Sequence, residues 1–172
     1  LRPSELIPQL RRNAARKFSL LGFGLMLFTI GLIKKVVFAD SIASVVDPIF
    51  SNPVGHDLMT YWVAMLGYTL QIYCDFSGYT DMALGSSAIL GIRLPINFNS
   101  PYIAHNLQDF WRRWHMTLSR WLRDYLYIPL GGNRCSKFRY ATNIIVTMVL
   151  CGIWHGANWT FLLWGLLHGI GL

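Results

Sequence analysis

Three long apolar segments constrain the fold of this 172-residue chain more than any other feature of its sequence. They comprise residues 18–38, residues 58–92 and residues 141–172. A transmembrane helix needs about 20 consecutive apolar residues, and each segment is at least that long. Only 13% of the residues are charged, against roughly 25% in soluble domains. The sequence therefore predicts an all-α, polytopic membrane protein.

The positive charges indicate how such a chain is oriented. The net charge is +7, but the Lys and Arg residues flank the apolar segments instead of forming a solvated patch, which argues against a nucleic-acid partner. They concentrate in residues 1–17 and 93–139, whereas residues 39–57 contain none. Because positively charged loops stay cytoplasmic, residues 39–57 are predicted to lie outside. Lys34 and Lys35 disagree with this pattern and are expected to reach the interface on their long side chains.

The second apolar segment is too long for one straight span. Its middle, YCDFSGYTDMALGSS, is rich in Gly and Ser and contains Asp75 and Asp81. Either the helix continues into the cytoplasm, or it is broken within the membrane, where non-helical backbone is tolerated only inside protein or beside a cavity. The two aspartates are expected to bond backbone groups freed by such a break, or alternatively to line a cavity.

Residues 107–127 form an amphipathic segment. Aromatic residues and leucines recur at three- and four-residue steps, and arginines occupy the opposite side. This pattern predicts one re-entrant or interfacial helix. His115 falls on the aromatic stripe, four residues after Trp111. The pattern leaves open whether His115 is a structural histidine or part of a site.

The stretch CGIWHGANWTF places His155 in the middle of the third apolar segment. Ionisable groups in membrane segments are costly and usually face a protein interior or a water-filled cavity. An imidazole suits proton transfer near neutral pH. Trp159 and Leu162 are expected to lie near the helical face of His155 and to wall a narrow pocket. Alternatively, His155 bonds a neighbouring helix, with Gly152 and Gly156 as a packing surface.

The remaining histidines and the cysteines carry less information. His168 follows His155 by thirteen residues and is expected on roughly the other side of the same helix, so that one helix cannot present both histidines to one site. His56 and His105 fall in predicted loops. The three cysteines lack metal-ligand spacing, and a disulfide framework is not expected. No phosphate-binding loop, CxxC pair or serine nucleophile motif occurs, so no bound cofactor or metal is expected.

Three motifs connect these features to a known family. They are QIYCDFSGYTDMALG, LPINFNSPYIAHNLQDFWRRWHMTLSRWLRDYLYIPLGGNR and GIWHGANWTFLLWGLLHG. In this order they resemble the membrane-bound O-acyltransferase family, in particular its alginate O-acetyltransferase branch. Since family members are longer, residues 1–172 are expected to be the central part of a single domain. The resemblance implies a multi-pass protein of the cell inner membrane whose helices surround a tunnel.

The resemblance also implies a reaction, the transfer of an acetyl group to hydroxyls of an exported polysaccharide such as alginate. His155 matches the catalytic histidine of the family's WHG motif, and His115 matches the second histidine, in the RWH motif. His155 is expected to act as the base, and His115 to donate a hydrogen bond near the developing oxyanion. Trp154, Asn158 and Trp159 are candidates for binding the substrate.

The co-substrate and partners follow from the same resemblance. The acyl donor is expected to be acetyl-CoA or a carrier-protein thioester that arrives from the cytoplasm, where the arginines of residues 107–127 could meet an acidic donor. The acceptor is the polysaccharide or an intermediate acyl-accepting protein, and other subunits of an export complex and membrane lipid complete the partners. The alternatives are D-alanyl transfer to a cell-envelope polymer, a transporter or channel element, and a scaffold subunit in which His155 is dispensable.

Overall fold

The computed structural model describes residues 2–11 and 20–172, and all regular structure within these ranges is helical. The α-helices are α1 (Pro3–Arg11), α2 (Leu21–Ile33), α3 (Asp40–Ser51), α4 (Leu58–Ile89), α5 (Leu107–Arg113), α6 (Met116–Leu122), α7 (Lys137–His155) and α8 (Trp159–Gly171). Two π-helical turns (Lys34–Ala39 and Arg123–Tyr127) and one 3-10 turn (Pro101–Ile103) connect some of them. The chain divides into two compact units, residues 1–96 and 97–172.

In the first unit, α2, the first π-helical turn and α3 form one continuous helix, Leu21–Ser51. With a mean hydropathy of 1.8, it is the one helix among the described residues that is both long and apolar enough to cross a membrane. The predicted start of this span, residues 18 and 19, lies outside the described residues. The prediction that residues 39–57 form a connection is wrong up to Ser51. The helix continues there because α3 buries an apolar face, with Val46 only 2% exposed.

Helix α4 runs antiparallel to this long helix and is unbroken over 32 residues. At 1.5 Å per residue it spans about 48 Å, more than the hydrocarbon layer of roughly 30 Å. Its backbone meets that of α2, because a methyl group at Gly31 would lie 2.5 Å from the carbonyl oxygen of Gly78. Of the two alternatives for this segment, continuation of the helix is therefore correct. The Gly and Ser residues serve close packing and do not break the helix.

The two lysines that disagreed with the charge pattern pair with acids of the same unit. Lys34 Nζ lies 2.6 Å from Asp81 Oδ2. Lys35 Nζ lies 2.6 Å from Asp75 Oδ1 and 2.9 Å from Asp40 Oδ1. Asp75 and Asp81 thus bind lysines and not freed backbone. Pairing reduces the cost of placing charge beside apolar helices.

In the second unit, the single helix predicted over residues 107–127 is interrupted. Helix α5 ends at Arg113, Trp114 is extended, and His115 adopts a left-handed conformation with φ 42° before α6 begins. The periodicity of the sequence does not show this interruption, because the aromatic residues recur across it at helical steps. Its cause is a hydrogen-bonding partner from outside the segment, described below.

The third apolar segment also differs from its prediction as one span, because it forms an antiparallel hairpin of α7 and α8. The chain reverses after His155, and the side chain of Asn158 caps α8 by accepting a hydrogen bond from Thr160 N at 3.2 Å. The helices touch through backbone, since a methyl group at Gly152 would overlap the carbonyl oxygen of Phe161. A methyl group at Gly156 would lie 2.7 Å from the ring of Phe161, so both glycines predicted to form a packing surface pack closely against α8.

Candidate active site

His155 is the last residue of α7 and lies at the turn that joins α7 to α8. Its ring contacts Trp154, with centroids 5.1 Å apart, and Trp164 of α8, with centroids 5.6 Å apart. It also stacks on Phe161 at 6.3 Å. The predicted wall of Trp159 and Leu162 assumed that one helix continued past His155. Because the chain reverses there, Phe161 and Trp164 of the returning helix contact the imidazole instead, and His155 remains exposed.

The three residues proposed for substrate binding lie close to this turn. Trp154 contacts His155 and remains 67% exposed. Asn158 is the cap of α8. Trp159 is 82% exposed, so its ring is free to contact a ligand or another part of the protein. Binding of substrate by these residues stays a prediction, and Asn158 has a structural role in addition.

His168, which the sequence separated from the site, belongs to the same aromatic cluster as His155. We use this term for Trp111, His155, Trp164 and His168. Trp111 Nε1 donates a hydrogen bond to His168 Nδ1 at 3.2 Å. Trp164 contacts both histidines, with its centroid 4.6 Å from that of His168. The expectation that one helix carries the two histidines on opposite sides is wrong, because they lie on different helices.

His115 is fixed by Asn97, a residue that the sequence analysis did not single out. His115 Nδ1 lies 3.1 Å from Asn97 Oδ1. The same oxygen accepts hydrogen bonds from Thr117 N at 3.2 Å and Thr117 Oγ1 at 3.0 Å. The backbone oxygen of Asn97 accepts from Met116 N at 3.0 Å. Asn97 therefore caps α6 from outside the helix and causes the interruption at His115. The sequence feature that could have pointed to Asn97 is its polar character within the stretch LPINFN. That stretch has neither helical nor strand periodicity.

Burial and a second imidazole set the charge of His115. Its pKa is lowered to about 4, chiefly because burial disfavours the charged ring and further because of the charge of His155. His115 is therefore neutral at neutral pH. The two histidines predicted to be catalytic both belong to the second unit.

A cavity of about 230 Å³ lies beside the aromatic cluster. Trp111, Arg123, Tyr127 and Thr147 are among its lining residues, which include neither His115 nor His155. Its wall combines apolar surface with the guanidinium of Arg123. The cavity thus adjoins the cluster through Trp111 without containing either candidate catalytic side chain.

Comparison with known proteins identifies the family. The family described as MBOAT, the membrane-bound O-acyltransferases, matches residues 5–172. The chain belongs to this family. The resemblance based on the three motifs is thereby confirmed.

Similar members of the membrane-bound O-acyltransferase family act on different polymers, as judged by their names. The chain is 51% identical over 171 residues to a peptidoglycan O-acetyltransferase of Helicobacter pylori, covering 98% of this chain and 32% of that protein. It is 54% identical over 147 residues to a probable alginate O-acetylase of Azotobacter vinelandii, covering 84% and 29%. A teichoic acid D-alanyltransferase of Bacillus subtilis is 41% identical over 113 residues, covering 62% and 29%. The chain thus spans about a third of the length of these relatives.

Proposed function

We propose that the protein containing this chain transfers an acetyl group to hydroxyls of a cell-envelope or exported polysaccharide. The observation that carries the proposal is the presence in one compact unit of two histidines at breaks between helices, His155 at the turn between α7 and α8 and neutral His115 at the interruption between α5 and α6. Family membership and the names of the O-acetyltransferase relatives support the same reaction.

In the proposed mechanism, His155 is the general base. The acceptor hydroxyl attacks the carbonyl carbon of an acyl thioester while His155 takes the hydroxyl proton, so that a carbon–oxygen bond forms. The carbon–sulfur bond then breaks, and the leaving thiolate receives the proton from His155. The products are the ester and a free thiol. The donor, acetyl-CoA or a carrier-protein thioester, is a co-substrate and not a resident group.

The proposal includes a multi-pass location in the cell inner membrane. The long helix Leu21–Ser51 supports one crossing, and the antiparallel α4 is proposed to make a second, with residues 52–57 joining the two on the outer side. This orientation keeps the basic residues of 93–139 in the cytoplasm, as the distribution of positive charge favours. A cytoplasmic donor and an external acceptor would then approach the site from opposite sides.

The acceptor is proposed to be a polysaccharide because relatives named for alginate and for peptidoglycan are 54% and 51% identical to the chain. D-alanyl transfer is the second candidate, supported by a relative at 41% identity over a shorter match. A partner protein that accepts the acyl group before the polysaccharide, and further subunits of an export complex, belong to the same proposal.

The proposal is tested by measuring the transfer of radiolabelled acetyl groups. The assay uses membranes that contain the full-length protein and its co-expressed partner proteins. His155→Ala and His155→Gln should each lose roughly 10²–10⁴-fold in rate, because glutamine keeps a hydrogen-bonding group but cannot take the proton. His56→Gln, in the loop between α3 and α4, is the matched histidine control and should behave as wild type. Normal transfer by His155→Gln at equal protein abundance would exclude His155 as the base. Solute flux without any acylated product would favour a transporter.

A further inference from the structure

Asn97 accepts three hydrogen bonds at a single buried oxygen. The donors to its Oδ1 are Thr117 N, Thr117 Oγ1 and His115 Nδ1, at 3.2, 3.0 and 3.1 Å. Asn97 is only 8% exposed. An amide oxygen with three such partners fixes the orientation of the Asn97 side chain, so the donor and acceptor roles of its partners can be assigned.

The donor and acceptor roles of these groups determine where the proton of His115 lies. A backbone N–H can only donate, so the Asn97 atom that faces Thr117 N is the oxygen and not the amide nitrogen. The same oxygen faces His115 Nδ1, which must therefore carry a hydrogen. A neutral imidazole has one N–H, so Nε2 of His115 carries no hydrogen and can only accept.

We propose that Asn97 is a positioning residue that holds His115 with its proton on Nδ1 and thereby presents Nε2 as a hydrogen-bond acceptor in the site. This inference rests on the proposed function for its catalytic consequence. Neutral His115 has its single N–H engaged with Asn97, so it does not donate to an oxyanion. Its partner in the reaction is a donor of the hydroxyl or N–H class, such as the acceptor hydroxyl.

The backbone around His115 supports the same role. His115 has φ 42° and ψ 51°, a left-handed conformation that non-glycine residues seldom adopt. Such a conformation persists where the surroundings hold it. The backbone oxygen of Asn97 binds Met116 N, directly after His115, while its side chain binds the ring. One residue thus fixes both the backbone and the ring orientation of His115.

The test is a nitrogen NMR measurement of the histidine tautomers in the full-length protein, purified in detergent with ¹⁵N-labelled histidine. A His115→Gln sample assigns the resonances of His115. At neutral pH, Nδ1 of His115 should be protonated and Nε2 should not. Asn97→Asp keeps the acceptor oxygen and should preserve this tautomer, whereas Asn97→Ala should abolish the preference. Asn99→Ala, an exposed asparagine two residues away, is the matched control and should leave the tautomer unchanged.

Acetyl transfer is measured on the same variants. Asn97→Ala should lose at least roughly 100-fold, since a catalytic histidine in the wrong tautomer loses most of its activity, and Asn99→Ala should not. A wild-type His115 protonated on Nε2 would overturn the inference even if Asn97→Ala failed to fold. An unchanged tautomer in folded Asn97→Ala would overturn the positioning role. If the tautomers are as expected but His155→Gln transfers normally, the proposed function fails and the tautomer assignment stands.

Discussion

The ammonium nitrogen of Lys34 lies 2.6 Å from a carboxylate oxygen of Asp81, joining the long helix Leu21–Ser51 to α4 in the midst of apolar side chains. The side chains of Lys34 and Asp81 are 30% and 19% exposed, so water stabilises either charge only in part. Removing one partner should therefore lower the free energy of unfolding more than removing both, because the remaining charge stays partly buried and unpaired.

We expect Asp81→Asn to lower the free energy of unfolding by about 1–3 kcal/mol, between the values for an exposed and a fully buried ion pair. The double variant Lys34→Met with Asp81→Leu should recover most of that loss. Asp40→Asn is the matched control, because Lys35 keeps Asp75 as its partner, and it should cost about 1 kcal/mol or less. Unfolding of the purified full-length protein in detergent measures all three, and equal losses for Asp81→Asn and Asp40→Asn would contradict the prediction.

Gly152→Ala should damage the hairpin that positions His155. The added methyl group would meet the backbone carbonyl of Phe161, which cannot rotate away as a side chain can. We expect a loss of about 1–3 kcal/mol in stability, typical of overpacking, together with reduced transfer. Gly22→Ala is the control, since a methyl group there meets no atom within 4 Å and should even stabilise α2 by roughly 0.5–1 kcal/mol. Similar unfolding temperatures for the two variants would argue against backbone contact between α7 and α8.

The stability of the second unit should depend on the protonation of His115. Burial lowers its pKa from 6.5 to about 4, so between these values the unfolded chain binds a proton that the folded chain does not. The stabilisation is fully present above about pH 6.5 and is lost as the pH falls toward 4. Between about pH 7.5 and pH 5, wild type should therefore lose more in unfolding temperature than His115→Gln. Parallel losses in the two proteins would show that His115 does not contribute.

The two roles considered for Asn158, capping α8 and binding substrate, can be distinguished by comparing Asn158→Asp with Asn158→Ala. Aspartate also caps helices, so it should keep the stability that alanine loses, about 1 kcal/mol. If Asn158 only caps α8, transfer by the aspartate variant should equal that of wild type. A stable aspartate variant with impaired transfer would instead indicate contact with the substrate.

A single cysteine in place of Asn52 tests the orientation. The native cysteines are removed first, and the variant is expressed in intact cells. Residue 52 should react with a membrane-impermeant thiol reagent, because the lysine-free connection between α3 and α4 is proposed to lie outside. A cysteine at Ser136, in the basic region, should react only after lysis. The reverse pattern would invert the proposed topology.

The sequence predicted the helical class, but not the points at which the chain reverses or breaks, and the catalytic roles of His115 and His155 stay predictions. The reversal after His155 had a local signal, a glycine followed by the capping residue Asn158, which the apolar character of the whole segment obscured. The interruption at His115 had no local signal, since the atoms that cause it belong to Asn97, eighteen residues earlier. Hydrogen bonds between distant residues leave no periodicity.

The π-helical turn at Lys34–Ala39 changes the direction in which side chains point around the axis of the long helix, so the parts before and after it present different faces. A π-helical turn takes up one residue more than an α-helical turn, which rotates everything after it by about 100° relative to an uninterrupted α-helix. Helix α4 is contacted on both sides of this point, by Gly31 before it and by Val46 after it. Deleting one residue from the turn would restore a uniform helix and turn Val46 away from Gly67. Homologous chains are therefore expected to tolerate substitutions in this turn far better than a change in its length.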